Sequence, residues 1–396
     1  MVLRPWRLAE AWWACGGALL LVGIGAVSPL AAWRSLAGGV EVYLFLAGMM
    51  LLAEIARAEL VFDWMASRAL RIAVGSPERL FALVFALCTV VTIFLSNDAT
   101  VVVLTPAVIA IARRAAVPVL PYAYPCAFVA NAASFVLPIS NPANLVVYGG
   151  RLPALGPWIA TYGLASLAAI GSTYVMLRWI LAAGLKERPA TPSGDDAVVV
   201  LRKRAVGALV LSAVVLIVAS WADWPLGIVT AGVALVALAI VSAGRTGSAR
   251  ALLRIDYSIL FLVAGLFVIV GGLDANGALV DAQRTLAAFA ALGEPFARIA
   301  TAAVAAILSN LCNNLPIGVL ARYALATTHQ GPSIVGAAVV GIDLGPNLSV
   351  TGSLATLLWL SALRAESIGV SAARFLRAGL VVMPVSLVLT VLSLRR

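Results

Sequence analysis

The sequence predicts an all-α polytopic membrane protein: an inverted structural repeat with two re-entrant hairpins and two broken transmembrane helices. Three observations predict it. The 396 residues are 63% hydrophobic and only 11% charged, with a mean hydropathy of +1.05, whereas soluble chains run at about 45–50% apolar and about 25% charged. Four long apolar runs are interrupted by compact polar clusters. Finally, similar features recur in the same order in the two halves of the chain, which is the mark of an internal repeat. A membrane β-barrel would alternate in ten-residue segments; here the apolar runs are continuous.

Apolar stretches of roughly spanning length, about 20 residues, fall at Trp12–Ala31, Val40–Ala56, Tyr122–Tyr148, Trp158–Ala183, Ala205–Trp221, Pro225–Ala243, Tyr257–Gly272, Ile334–Leu360 and Phe375–Leu394. The first, after Arg4 and Arg7, is long enough to span and reads as an uncleaved helix rather than a signal peptide. Phe62–Val74 and Leu279–Leu292 are amphipathic and read as helices lying in the interface. Leu80–Arg113 and Phe296–Thr328 are apolar but carry Ser96-Asn97-Asp98 and Ser309-Asn310-Leu311-Cys312-Asn313-Asn314 midway. Each reads as a re-entrant hairpin with the polar cluster at its tip.

With nine crossings and two hairpins, 19 of the 27 Lys and Arg fall on one face. Seven fall on the other (Arg34, Arg151, Arg284, Arg298, Arg322, Arg395 and Arg396), and Arg178 lies near the inner end of a helix. The positive-inside rule then places the N-terminus in the cytoplasm and the C-terminus outside. The net charge of +10 reports these basic loops, and nucleic acid is not an expected partner. Gly184–Arg204 is a solvated linker rich in Pro, Gly, Ser and charge. It divides an N-terminal repeat (1–183, hairpin at about 80–113 entering from inside) from a C-terminal repeat (205–396, hairpin at about 296–328 entering from outside). Leu46-Ala47-Gly48-Met49 matches Val263-Ala264-Gly265-Leu266, Ser96-Asn97 matches Ser309-Asn310, and Thr105-Pro106 matches Leu315-Pro316. The run Ser140-Asn141-Pro142-Ala143-Asn144 matches Leu344-Gly345-Pro346-Asn347. Hairpins entering from opposite faces make the repeat inverted, an architecture that many secondary transporters share, with the site at midplane between broken helices.

The densest polar interruption is Gly341–Trp359. Pro346 lacks a backbone donor and the flanking glycines loosen the helix, so it should break there. A break at membrane depth survives only inside protein or against a watery cavity, which is where transporters put their binding sites; a Pro-kinked helix packed in the bundle without a ligand is the alternative. Two tips and two breaks bring together Ser96, Asn97, Ser140, Asn141, Asn144, Ser309, Asn310, Asn313, Asn314, Asn347, Thr351 and Ser353 as substrate-binding candidates. Nearly all are neutral donors and acceptors, joined by the positive ends of half-helices. No Arg or Lys lies in these clusters, which disfavours a multiply charged anion. Asp98 is the first proton-coupling candidate, since an intramembrane acid is read by default as functional; it could instead cap the returning arm of its hairpin. Asp343 is the second. Glu41 and Glu54 lie near helix ends and read as solvated; Asp274 and Asp281 belong to an external connection. Cys15, Cys88, Cys126 and Cys312 are scattered and form neither a disulfide framework nor a zinc site. Cys312 at a tip is either a soft ligand or a small buried hydrophobe. His329 has no assigned role. No cofactor, metal or catalytic group is expected; a Ser–His, Ser–Lys or paired-acid enzyme site has no residues to build it.

FLSNDATVVVLTPAVIAIA (94–112), ILSNLCNNLP (307–316) and above all GIDLGPNLSVTGSLATLLWLSAL (341–363) resemble the arsenite/antimonite efflux permeases, ArsB-type, of the ion transporter superfamily. The resemblance runs from about Val42 onward. It implies the same inverted-repeat fold and export of trivalent arsenic or antimony hydroxides in exchange for protons, across a prokaryotic inner membrane. Its implied partners are a small inorganic solute, protons and the bilayer, with a cytoplasmic arsenite-stimulated ATPase and a homodimer as candidates. The chain departs from the family at Asn131, where such permeases often carry Asp, and in its Ser-Asn-Pro-Ala-Asn run. Within the same superfamily, a sodium-coupled organic-anion carrier or a sodium/proton antiporter is the alternative; a dicarboxylate carrier should show Ser-Asn-Thr at both tips, where this chain has Ser-Asn-Asp and Ser-Asn-Leu. A passive channel is a further alternative, because static sequence does not display coupling.

Overall fold

The computed structural model describes residues 10–190, 202–243, 252, 254–291, 293–328 and 331–395. Arg4, Arg7, Arg245, Arg250, His329, Arg396 and linker residues 191–201 lie outside them. The described chain is helical throughout. It opens with α1 (Glu10–Gly23), α2 (Pro29–Ala37), α3 (Val40–Ala58) and α4 (Val61–Ala73). The first hairpin is α5 (Pro77–Phe94) going in, then α6 (Asn97–Ala99), a π-helical stretch Thr100–Leu104 and α7 (Thr105–Arg114) returning. The first broken helix is α8 (Val119–Ala132) and α9 (Pro142–Val147), followed by α10 (Leu155–Leu181), α11 (Lys203–Trp221) and α12 (Leu226–Ser242). The second repeat follows the same order: α13 (Ser258–Ala275), α14 (Val280–Ala290), the hairpin α15 (Glu294–Cys312) and α16 (Asn314–Thr328), the broken pair α17 (Pro332–Leu344) and α18 (Leu354–Ala365), and α19 (Ala372–Leu392).

Six of these helices are long and apolar enough to cross a membrane, or seven if the bent pair α2–α3 is one span. The remaining candidate spans are short or broken. Trp12–Ala31 is not one continuous span. It ends at Gly23, and a new helix starts where Ser28 accepts from the Ala31 N–H at 3.2 Å and Pro29 occupies the first turn. A serine cap followed by proline is a strong start signal, and it overrides the apolar run. The amphipathic α4 buries Val61, Phe62, Ala66, Ala69, Leu70 and Ala73 and turns Arg68 and Arg71 outward. It packs against both α5 and α7, as α14 packs against both α15 and α16, so each hairpin begins and ends beside one surface helix. Leu167, Trp179, Val210, Trp221 and Leu235 stand exposed around α10–α12, as lipid-facing side chains do.

Ion pairs gather the basic ends. Arg57 and Arg254 reach Glu54 at 2.6 and 3.9 Å, Arg202 reaches Glu59 at 2.9 Å, and Arg113 pairs with Glu366. At the opposite end Arg298 donates to the Leu394 carbonyl at 2.9 Å and Asn276 to that of Ala26 at 2.8 Å. These groupings follow the two-faced sorting of charge.

The matching Ala-Gly pairs have a structural cause. A Cβ on Gly48 of α3 would lie 2.7 Å from the Thr230 backbone of α12, and one on Gly265 of α13 would lie 2.7 Å from the Ala14 backbone of α1. Each glycine therefore admits a helix at backbone distance, the usual way helices associate in lipid. The partners are exchanged: the helix preceding α13 packs on α3, and the helix opening the chain packs on α13. Gly265→Leu is expected to destabilise the protein by about 1–3 kcal/mol through overpacking, read as a lower Tm of the purified protein; an unchanged Tm would contradict so close a crossing.

Candidate functional site

The candidate residues lie on two hairpin tips and two helix breaks. The first tip reverses at Ser96 (φ 139°) and the second at Asn313 (φ 77°). Both have ψ near 150–165°, a region that residues with a side chain adopt at a cost of about 1–3 kcal/mol. Such strain persists only where the surroundings impose it. The reversal points are 217 residues apart, as are Gly48 and Gly265. The true counterpart of Ser96-Asn97 is thus Asn313-Asn314. Pairing with Ser309-Asn310 is corrected: those residues occupy the last turn of α15, one turn before the tip.

From that last turn Asn310 braces the second break. Its amide donates to the Ala306 and Gly345 carbonyls, both at 2.8 Å, and its Oδ1 accepts from Ser349 at 2.7 Å. Thr351 donates to the Asn310 carbonyl at 3.0 Å. Ser353 caps α18, accepting from the Thr356 N–H at 3.1 Å. In the first repeat Asn141 caps α9, accepting from Ala143 N–H at 3.0 Å, and Ser140 donates to the Ile93 carbonyl at 3.0 Å, fixing the break to the hairpin. Asn144 donates to the Ser134 carbonyl at 2.9 Å. Asp98 does not cap its arm: Ser96 does, accepting from the Ala99 N–H at 3.3 Å. Asn97 Oδ1 accepts from the Asp98 N–H at 2.9 Å, and Asp98 is left half-buried against a cavity.

Two bonds cross between the breaks. Asn141 Nδ2 donates to Asp343 Oδ1 at 2.8 Å, and Asn131 Nδ2 donates to Asn347 Oδ1 at 2.9 Å. Asn131 and Asp343 are each the penultimate residue of the half-helix before a break. The bonds are therefore reciprocal: each first half-helix bonds the break of the other repeat. Asn131 was outside the sequence-derived site set, although its lone amide within an apolar run and its position 212 residues before Asp343 both mark it.

Asp343 is only 1% exposed, and no cation pairs with it among the described residues. Its second oxygen has no hydrogen-bond partner; nor do Asn131 Oδ1, Asn144 Oδ1, Ser309 Oγ, Asn313 Oδ1 and Thr105 Oγ1. Buried polar atoms left unpaired cost about 1–3 kcal/mol each. Of these, Asp343, Asn131 and Asn144 lie at the breaks, and Ser309 and Asn313 lie at or beside the second tip.

Two cavities reach the tips. One of about 630 Å³ is lined by Ser96, Asp98, Pro142, Glu54, Arg57 and Arg254. Glu54 is accordingly buried and ion-paired, not solvated. The other, of about 300 Å³, is lined by Cys312, Asn313, Thr351, Ser361 and Arg364. Leu358 of α18 borders both. Cys312 is exposed in this cavity, which corrects its reading as a buried hydrophobe. Among the described residues no group of three or more His, Cys, Asp or Glu could hold a metal ion.

Residues 1–363 match the family model of the citrate transporters (CitMHS). The arsenical pump membrane protein of Escherichia coli strain K12 is 28% identical over 429 residues, covering 100% of this chain and 96% of that protein. An uncharacterized transporter of Synechocystis is 24% identical over 378 residues, covering 87% of this chain and 83% of its own. The crystal structure of the Alcanivorax borkumensis YdaH transporter, described as having an unusual topology, superposes with a TM-score of 0.57 at 15% identity. It covers 96% of this chain and 95% of that one.

Proposed function

The chain belongs to the citrate transporter family and is a multi-pass membrane transporter; from that premise we propose that it exports trivalent arsenic and antimony hydroxides in exchange for protons. The observation that carries this reading is the character of the buried groups at the breaks. They are amides and hydroxyls with spare acceptors, beside acids and with no Lys or Arg in the break segments. Arsenite at neutral pH is a neutral trihydroxide, with three O–H donors for such acceptors. Citrate carries three carboxyl groups and would meet Asp98 and Asp343 with no Arg or Lys at the breaks to oppose its charge. The name of the E. coli relative points the same way.

In this reading the basic end of the bundle is cytoplasmic, and cargo enters through the two cavities that reach Ser96, Asp98, Asn313 and Thr351. Asn131, Asn141, Asn144, Ser309 and Asn347 complete the cage with Asn310 and Ser353 holding its walls. Asp98 and Asp343 carry the protons. An ionised Asp343 would have one amide donor and no counter-charge. Its charge state is therefore linked to the arrangement of the two breaks it bridges, which is the coupling a proton antiporter needs.

Everted membrane vesicles provide the test. Arsenite should accumulate when an inward-acid gradient is imposed and should stop when the gradient is collapsed, while citrate, succinate and sodium gradients leave the flux unchanged. Gradient-driven citrate movement with no arsenite movement would reject the proposed cargo. Arsenite flux indifferent to the gradient would reject the coupling.

A further inference from the structure

The four cysteines are dispersed in sequence, yet two of them meet. Cys88 Sγ of α5 and Cys126 Sγ of α8 lie 3.7 Å apart, both fully buried. Cys15 and Cys312 stay apart, and all four thiols are free. Neither cysteine lines either of the two cavities, but hydrogen bonds tie the Cys88 backbone to the first hairpin tip. The Cys88 carbonyl accepts from Thr92 Oγ1 at 2.8 Å, Thr92 and Thr100 hydroxyls lie 2.7 Å apart, and Thr100 Oγ1 donates to the Ser96 carbonyl at 3.3 Å. This file of buried hydroxyls runs from the Cys88 carbonyl up α5 to the first hairpin tip, and Ser96 lines the cavity of about 630 Å³. Thr100 opens the π-helical stretch of the returning arm, a local unwinding that recurs at functional sites.

We propose that Cys88 and Cys126 form a dithiol site that captures a trivalent arsenical or antimonial. Two thiols in near contact suit one soft trivalent centre bridging both sulfurs. The reaction needs no oxidant. As(OH)3 and two thiols give (RS)2AsOH and two waters: two As–S bonds form, two As–O bonds break, and each thiol proton leaves on a departing hydroxide. The site depends on the thiols alone and would stand if the transported cargo proved to be another solute. Its consequence is mechanical: a covalent bridge fixes the inward arm of the first hairpin to the helix that ends at the first break.

The test uses the full-length purified protein and phenylarsine oxide, whose As=O oxygen leaves as one water when two thiols bind. Exposed Cys312 is first blocked with N-ethylmaleimide. Intact mass should then show one phenylarsenic per chain, removable with excess 2,3-dimercaptopropanol. Cys88→Ala and Cys126→Ala should each abolish the adduct, and Cys15→Ala should leave it. If either alanine variant fails to fold, peptide mapping of the wild-type adduct gives the same answer, with one arsenic joining the Cys88 and Cys126 peptides. Absence of an adduct, an adduct surviving Cys88→Ala, or a disulfide already joining the pair in the untreated protein would each overturn the proposal.

Discussion

Asp343→Asn is expected to leave the protein folded in the membrane and to reduce gradient-driven export to less than roughly a tenth of the wild-type rate, with each factor of ten worth about 1.4 kcal/mol. The substitution is nearly isosteric. An asparagine oxygen at this position can still accept from Asn141 Nδ2, so the 2.8 Å bond between the two breaks survives. What disappears is the capacity to change charge at a point that is 1% exposed and has no cationic partner among the described residues. The residue sits where an ionisable group is expensive, about 2.5–3.5 kcal/mol on insertion scales, and such a cost is tolerated for function. The measurement is the initial rate of arsenite accumulation in everted vesicles, with and without the gradient, at matched protein content. If gradient dependence persists at full strength in Asp343→Asn, Asp343 does not carry the proton.

Asp98→Asn is expected to have an effect of the same order, and here the structure removes the competing explanation. A capping role would make the change almost silent, because Asn caps about as well as Asp. The returning arm is capped by Ser96 instead, and Asp98 lines the same cavity as Glu54, Arg57 and Arg254. The expected outcome is normal thermal stability with gradient-driven export down by about tenfold, or 1.4 kcal/mol. Wild-type flux in this variant would leave Asp343 as the sole proton carrier. Comparing the two substitutions also tests the asymmetry of the repeat, since Leu315 occupies the position in the second hairpin that corresponds to Asp98.

The hairpins and breaks were legible in the sequence because lipid allows few alternatives for a polar cluster or a proline at depth. The same constraint makes the Gly48 and Gly265 match meaningful: both mark a backbone-close crossing. The residue at which the second tip reverses was not legible within its polar cluster. Ser309-Asn310 reproduces Ser96-Asn97 letter for letter, but the chain reverses at Asn313, because the strained conformation is borne by Ser in one repeat and Asn in the other. The bonds that assemble the site were equally hidden. Asn131 and Asn347 are 216 residues apart, Asn141 and Asp343 are 202 apart, and the Cys88–Cys126 meeting depends on how α5 lies on α8. Composition records that such residues exist at depth; only the packing of half-helices decides which of them meet.

The exchange of opening helices has a consequence for how the chain is made. α1 leaves the ribosome well before its partner α13, which begins at Ser258, roughly 235 residues after α1 ends at Gly23. At about 5–20 residues per second, α1 waits on the order of 10–50 s in the bilayer before the surface that receives it exists. α3 waits likewise for α12. A nascent chain that ends between α3 and α12 holds α1 and α3 without these helical partners. The α3–α12 contact and then the α1–α13 contact therefore form late in synthesis, after most of the first repeat is in place.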